Sequence, residues 1–509
     1  MRCLLINPPC PYSEAPIIPL GLAYTAAVLE EHGHDVEVLD LLVSKSSKDK
    51  ITAKLSEHQP DVVGITCVTM NYPTASDILK TCKSTSQDIV TVIGGPHVTF
   101  RPVETLEEAP WIDIVVHGEG ESTMLDIVSG RHLEEVQGLA YRSGSDGVVI
   151  TPERPLIEQL DSLPAPAHHL FPLSRYHALG APCSLITGRG CPFACIFCAG
   201  SRMGGRRVRY RNPELVVDEI ERCLDLGFEE VNFENDLITL NHRHLHAICD
   251  TIIDRGLEFT WRAFARVDTV NPEVIGKMRA AGCTGVCYGV ESGNQRILDT
   301  VKKKINLDQV RNAVSIAKQF GMQVQASFIL GLPGETRETM EETLSFAQSL
   351  DTFYGVHVLA PFPGTEVREK ADEYGIEILT DDWLKYDANR PVTRTEGASP
   401  EDIAAVLHRY YRGLRLTPEA IEGTSCAESE LKHRTARRAP LAWTLVRGDV
   451  LESVGITAAS DQPIDALAMT LAEAALYPTD HVRERVERWV RTGLLKYTTN
   501  NGNHVWSWA

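Results

Sequence analysis

A chain of 509 residues that is 43% hydrophobic and 23% charged excludes global disorder and the collagen and coiled-coil classes, and at about 150 residues per domain it allows two to four domains. Sixty-nine Asp and Glu against fifty Lys and Arg leave a net charge of −19, the wrong sign for a protein that coats duplex nucleic acid. Thirteen cysteines over so long a chain do not form a secreted disulfide framework, no signal-peptide core follows Met1-Arg2, and no apolar run of about eighteen residues marks a membrane span, so a reduced cytoplasm is expected.

Over residues 1–135, short β-rich runs alternate with helical stretches. Strands are expected at 3–6, 36–39, 62–66, 89–93 and 112–116, with helices at 20–32 and 74–82. Such alternation predicts a Rossmann-like parallel sheet covered on both faces. The strands run into Asn7-Pro8-Pro9, Thr69-Met70-Asn71, Gly94-Gly95-Pro96 and His117-Gly118-Glu119-Gly120. Each alone reads as a tight turn. Four polar or glycine-rich loops at the carboxyl edge of one sheet point to a ligand there.

Residues 136–182 are proline-rich and read as a connector. From 183 to 375 a second series begins, with strands at 184–187, 230–233, 259–264, 285–290, 323–330 and 355–359. Helices are expected between them at 213–226, 243–255, 272–281, 307–320 and 337–350. Six βα units predict a partial or complete TIM-like barrel, with its chemistry at the C-terminal ends of the strands.

Residues 376–509 are expected to be mainly helical, with a linker at 425–438. Trp383, Tyr386, Tyr410 and Tyr411 read as core aromatics before pocket-lining ones. Near the end, Asp480 is placed to cap a helix whose apolar face is Val482, Val486, Trp489 and Val490, and Asn500-Asn501-Gly502-Asn503 signals a hairpin. Helix then hairpin resembles a winged helix, and Arg483, Arg485, Arg488 and Arg491 lie on that helix. Nucleic-acid or peptide binding is one reading; in so acidic a chain a packing module is favoured.

The most informative segment is Gly188-Arg189-Gly190-Cys191-Pro192-Phe193-Ala194-Cys195-Ile196-Phe197-Cys198, with C-x3-C-x2-C spacing. Random placement would give this spacing about 0.01 times per chain. Three close thiols hold a metal, form disulfides or do redox chemistry. Zinc would want a fourth ligand, for which Cys183 and His177 are nearest in sequence; an iron–sulfur cluster on three cysteines would leave one iron open for a substrate. Cys3, Cys10, Cys67, Cys82, Cys223 and Cys249 read as small buried hydrophobes, Cys283 and Cys287 lie near the barrel interior, and Cys426 has no assigned role.

This motif, with an aromatic before its last cysteine, resembles the radical S-adenosylmethionine (SAM) superfamily. Tyr288-Gly289-Val290-Glu291-Ser292-Gly293, Gly331-Leu332-Pro333-Gly334-Glu335-Thr336 and Pro361-Phe362-Pro363-Gly364-Thr365 are similar to motifs of its members that carry an N-terminal cobalamin-binding domain. Ile6-Asn7-Pro8-Pro9, Gly94-Gly95-Pro96-His97 and Gly118-Glu119-Gly120-Glu121 resemble that domain. The resemblance covers roughly residues 1–370.

It implies that Cys191, Cys195 and Cys198 hold a [4Fe–4S] cluster whose fourth iron binds SAM, with Phe197 against the adenine. Glu291 and Ser292 fall where the family contacts SAM, and Gly331 lets backbone approach the nucleoside. Asn232, Glu234 and Asp236 end the second strand and are candidate SAM or substrate contacts. Arg266 would pair with the methionine carboxylate or, equally, with Asp268. Around cobalamin the resemblance places Asn7, Pro8, Thr66, Thr69, Met70, Asn71, Gly94, Gly95, Pro96, His97, Gly118 and Glu119. No Asp-x-His-x-x-Gly motif supplies a cobalt-ligating histidine in residues 1–130, so Thr69, Met70, Asn71 or Tyr72 is expected to face the metal. The implied reaction is reductive cleavage of SAM to a 5′-deoxyadenosyl radical, followed by methyl transfer through cobalamin to an unactivated carbon or phosphorus of a small metabolite or peptide. A flavodoxin or ferredoxin would supply the electron. A cobalamin-dependent cyclase or ring-rearranging oxidoreductase is the alternative, and a cobalamin or redox sensor with a winged helix ranks third.

Overall fold

A computed structural model describes residues 1–10, 16–144, 147–234, 237–413, 441–458, 460, 462–475, 477–500 and 503–509. Asp236, Cys426, the linker expected at 425–438 and the Asn501-Gly502 turn lie outside them.

The N-terminal unit is built on near-continuous apolar strands. β1 (Arg2–Asn7), β2 (Asp35–Asp40), β3 (Val62–Thr66), β4 (Val90–Gly94) and β5 (Ile114–Val116) run parallel in the order β2-β1-β3-β4-β5. Leu4, Ile6, Val63 and Ile65 enter one core, and Cys3, Leu5, Val62 and Val92 enter the other. Burial on both faces explains why these strands lack polar alternation. The region expected as an irregular connector differs at two places, a helix at Leu173–Leu179 and a pair of strands. The strands β6 (Leu139–Arg142) and β7 (Val148–Ile150) extend the sheet antiparallel beyond β5. These runs of three or four residues, flanked by proline-rich chain, carry too little periodicity to be read locally.

β8 (Cys183–Leu185) opens the second unit. β9 (Gly188–Arg189) and β10 (Arg209–Tyr210) form a short antiparallel pair after it. Then β11 (Glu230–Phe233), β12 (Thr260–Ala265), β13 (Cys283–Glu291), β14 (Gln323–Leu330) and β15 (Phe353–Val358) join β8 in an all-parallel six-stranded sheet, the strands neighbouring in chain order. β8 and β15 do not pair, so this is a partial barrel. Alternation sets its two faces. In β12, Trp261, Ala263 and Ala265 pack with the helices, whereas Thr260, Arg262 and Phe264 are exposed on the concave side. The same phase puts Cys287 and Glu291 of β13 and Ser327 of β14 on that side, where Cys287 Sγ lies 3.6 Å from Ser327 Oγ.

Beyond the barrel, β16 (Ile376–Ile378) and β17 (Thr393–Thr395) form a hairpin, and Trp383 and Tyr386 between them join the core of the N-terminal sheet. Trp383, Tyr386 and Tyr410 are all buried, as expected for core aromatics. The last unit has its own core. Helices Leu441–Arg447 and Val450–Val454 precede β18 (Ile456–Ala458), helices Pro463–Ala475 and Thr479–Arg491 follow, and β19 (Leu495–Asn500) and β20 (Asn503–Trp508) close a sheet of order β18-β20-β19. This is the helix and strand order of a winged helix. Asp480 does not cap its helix but sits in the first turn, where its charge favours the helix N-terminus. No helix among the described residues is long and apolar enough to cross a membrane.

Candidate active site

The three-cysteine loop leaves the β9 end of the barrel and is fixed by its backbone. Cys191 N donates to Gly205 O, Ile196 N to Val301 O and Cys198 N to Cys195 O, and Val367 N donates to Ile196 O. Gly190 has φ +107°, and a Cβ there would meet Arg207 O at 2.7 Å. Glycine is therefore required immediately before the first cysteine. Cys191 and Cys195 are half-buried and Cys198 is exposed. Among the described residues, these three thiols do not gather within 4.8 Å of one another as a trio. A structural zinc ion would want a fourth protein ligand, whereas an iron–sulfur cluster on three cysteines leaves one iron open. Burial pushes the Cys195 thiol up while Lys303 and Arg266 pull it down, so cationic groups face a prospective thiolate.

Two cationic side chains line the loop. Arg266 pairs with Asp268 through Nε and Nη2 at 2.9 and 3.0 Å, donates to Lys303 O at 2.8 Å and stacks 3.6 Å from the Phe193 ring centroid. The Asp268 pairing is therefore realised, and it holds the guanidinium against the cysteine loop. Lys303 Nζ lies 2.6 Å from Glu291 Oε1, with both side chains buried. Glu291 has φ +73° at a register shift in β13, a strained backbone that local packing must maintain. Ser292 is fully buried and hydrogen-bonds Thr343 and the Asn294 amide, which assigns it to the turn.

Phe197 packs beside the cluster of Ile196, Ile297, Leu332 and Leu359, next to the Gly331 turn. That turn is tied by Glu335, whose Oε2 accepts from Gly331 N at 2.7 Å and Leu332 N at 3.0 Å. Burial pushes the Glu335 carboxyl up to about 8, against the lowering effect of those two amides. On β11, Asn232 Oδ1 is buried without a partner, and Glu234 approaches Ser184 at 3.5 Å.

A cavity of about 570 Å³ lies where the two units meet. Thr66, Gly94, Gly95, Pro96, Gly118 and Glu119 line it from the N-terminal sheet edge; Arg189, Gly190, Gly200, Met203, Gly204 and Glu234 line it from the barrel. Its wall includes glycines whose missing side chains define the space. A Cβ on Gly21 or Gly118 would meet no atom within 4 Å, and one on Gly94 none closer than 3.8 Å. A large group that needs close backbone approach fits such a cradle.

Other expected contacts do not line the cavity. Asn7 is buried and donates to Asp40, with Pro8 just beyond it. Thr69 faces His97 Nδ1 at 3.3 Å, Asn71 Oδ1 accepts from Val68 N, and Met70 Sδ lies 3.5 Å from Cys10 Sγ. His97 stacks on Tyr72 and edges onto Trp383; burial lowers it to about 3, so the imidazole is neutral. Cys183, once a zinc candidate, instead meets Cys223 and His168 in the core. Its sulfur lies 2.8 Å from that of Cys223, which would force an S–metal–S angle of about 75° at zinc–sulfur bond length. We read these as packed thiols. In the winged helix Arg483 pairs with Asp465 at 2.7 Å, and Glu484 and Glu487 alternate with the arginines, so the helix presents no uniformly basic face. Arg189 and Glu335 stand inside the sequence motifs without an assigned role, and Arg209 and Lys303 lie outside them, yet all four make the contacts that shape the site.

Residues 12–128 match the B12 binding domain family and residues 185–347 the Radical SAM superfamily. The chain is 37% identical over 433 residues to an uncharacterized methyltransferase of Pyrococcus horikoshii, covering 83% of this chain and 94% of that protein. It is 32% identical to the anaerobic magnesium-protoporphyrin IX monomethyl ester cyclase of Rubrivivax gelatinosus, covering 81% and 77%. Its fold is shared with the radical S-adenosylmethionine methyltransferase TsrM of Kitasatospora setae, solved with cobalamin and a [4Fe–4S] cluster bound, at a TM-score of 0.68 and 19% identity over 96% of this chain and 98% of that one.

Proposed function

The chain belongs to the radical SAM enzymes that carry a B12-binding domain, and on that premise we propose that it is a methyltransferase acting on an unactivated carbon or phosphorus of a small metabolite or peptide. One observation carries the reading: a single cavity is walled by the glycine-rich edge of the B12-binding sheet and by the residues flanking the three-cysteine loop. A methyl carrier and a radical generator housed there would open on the same space. When bound, cobalamin would carry the methyl group and the cluster would supply the electron that splits SAM.

The residues then divide the work. Cys191, Cys195 and Cys198 would hold the cluster, with Arg266 and Lys303 offsetting its charge. Glu291, held by Lys303, and the Gly331 backbone would orient SAM, with Phe197 beside the nucleoside. Asn232, whose carbonyl oxygen is buried and unpartnered, is suited to accept a hydrogen bond from SAM or substrate. The glycines at 94 and 118 would let the B12-binding edge approach its ligand, whereas Gly95 is required by the Cys67 backbone, which a Cβ would meet at 2.4 Å. Phe264, Cys287 and Ser327 on the concave face favour a small substrate with both apolar and hydrogen-bonding surface. A flavodoxin or ferredoxin in a reduced cytoplasm would supply electrons.

Anaerobic reconstitution of the full chain with iron, sulfide, hydroxocobalamin, SAM and candidate substrates tests the reading. Methyl transfer yields S-adenosylhomocysteine, 5′-deoxyadenosine and a methylated product together, and Cys191→Ala abolishes the 5′-deoxyadenosine. The cyclase reading, supported by the 32% identical relative, requires 5′-deoxyadenosine without S-adenosylhomocysteine.

A further inference from the structure

Where the B12-binding edge meets the barrel, one carboxylate takes up four hydrogen bonds. Glu119 Oε1 accepts from Arg189 Nη1 at 3.1 Å and Arg209 Nη2 at 2.9 Å, and its Oε2 accepts from Arg209 Nη1 at 3.0 Å and the Ile157 amide at 2.7 Å. A further bond reaches the neighbouring carboxylate: Arg189 Nη2 donates to Glu121 Oε1 at 2.6 Å. Arg209 continues the network to Ile157 O and Gly204 O. The four charged side chains are 3–15% exposed. Burial would raise the Glu119 carboxyl, but the arginines outweigh it and hold it below its ordinary range.

The arginines are placed by glycines. Arg189 and Arg209 face each other in the β9–β10 register. A Cβ on Gly188 would meet Arg209 O at 2.6 Å, and one on Gly190 would meet Arg207 O at 2.7 Å. The Gly188-Arg189-Gly190 triplet thus lets the two strands pack closely enough to bring two guanidiniums together, two residues before Cys191. Two arginines and two carboxylates neutralise one another, so the cluster is not a free anion site, although Glu119, Glu121, Arg189 and Gly204 all border the cavity.

We infer that Glu119, Arg189 and Arg209 form a positioning clamp that fixes the B12-binding loop Gly118–Glu121 against the three-cysteine loop. The inference rests on the function proposed above, and it assigns these residues no contact with reacting atoms. Interdomain charge pairs fix register more than they add strength, and transfer between two bound groups is sensitive to displacements of about 1 Å.

The test uses the full chain with Arg209→Gln and Arg189→Lys, and Arg255→Gln in an exposed helix-to-helix network as control. In the apoprotein, hydrogen–deuterium exchange should quicken in peptides covering 118–121 and 188–210 and stay unchanged in the β1 and β13 cores. Hydroxocobalamin affinity and cluster electron paramagnetic resonance should stay within about threefold of wild type. In the protein loaded with cluster and hydroxocobalamin, given SAM, a chemical reductant and the substrate found by the reconstitution assay as methyl acceptor, 5′-deoxyadenosine should also stay within about threefold, while S-adenosylhomocysteine falls at least about tenfold. Unchanged exchange in both segments, or S-adenosylhomocysteine at the wild-type rate, overturns the clamp. So does a parallel loss of both products together with cobalamin binding, which marks a plain folding contact. If Arg209→Gln does not accumulate folded, Arg189→Lys, which keeps the charge and loses one arm, decides on the same criteria. A wild-type protein that forms neither product sinks the proposed function instead, and unaltered exchange in the variants sinks the clamp independently of it.

Discussion

Lys303 sets its ammonium 2.6 Å from the carboxylate of Glu291, and a glycine two residues before Glu291 makes room for the pair. A Cβ on Gly289 would lie 2.6 Å from Glu291 Oε1 and 3.0 Å from Lys303 Nζ. The Gly-x-Glu pattern therefore leaves room for one ion pair, whose two side-chain ends would have to shift for a Cβ at 289.

Gly289→Ala is expected to displace Glu291 and weaken SAM binding by about tenfold, or about 1.4 kcal/mol, in equilibrium dialysis against the cluster-loaded protein. Lys303→Met leaves the buried carboxylate without its cation and should destabilise the fold by about 3–5 kcal/mol in chemical denaturation. Wild-type SAM affinity in Gly289→Ala would remove Glu291 from the SAM site.

Glu335 gives a pH dependence with a definite sign. Its carboxyl is raised from 4.5 to about 8 in the folded chain by burial. Between those values the folded state binds more protons than the unfolded state, so stability is full below the lower value and falls as pH rises through the upper one. Glu335→Gln keeps an acceptor for the Gly331 and Leu332 amides and removes the titration. Its melting temperature should vary less than that of wild type between pH 5 and about 9, and identical profiles would exclude Glu335 as the titrating group.

Gly94→Leu tests the cradle. Gly94 has space beyond its Cα, with Val116 at 3.8 Å, and its φ lies outside the left-handed region. The added side chain should fill the cavity wall and lower hydroxocobalamin affinity at least about tenfold in absorbance titrations, while iron content after reconstitution stays at the wild-type level. Unchanged cobalamin affinity would place the ligand elsewhere.

Legibility in the sequence followed the range of the interactions. The doubly buried strands β1 to β5 and the alternating barrel strands carry their own patterns, so their positions were readable to within about two residues. β6 and β7 were not, because pairing with the edge of β5, rather than local propensity, makes them strands. In the site, the cysteine spacing was readable because the chemistry lies within one loop. Of the three consecutive lysines 302–304, only Lys303 is buried, and nothing local distinguishes it. Likewise Glu119 reads as a ligand contact from its sheet-edge loop, while the arginines that occupy it lie 70 and 90 residues away.

Arg175 anchors the winged helix to the rest of the chain. From the helix Leu173–Leu179 it donates through Nη1 to Asp449 at 2.7 Å and to Val43 O at 2.9 Å, and through Nη2 to Glu452. Lys50 adds a second bond to Asp449 at 2.8 Å. Asp449 itself has φ +48°, so the turn that presents it depends on these partners. Arg175→Ala leaves a mostly buried carboxylate short of its main cation and exposes the join between the unit at 441–509 and the B12-binding sheet. A loss of about 3–5 kcal/mol is expected at this interface. Limited proteolysis should then release the C-terminal unit well before the barrel is cut, with cobalamin and cluster binding retained in the remainder. Co-degradation of all three units at one rate would show that the winged helix is held instead by its apolar contacts, such as Ala178 against Leu445 and Val446.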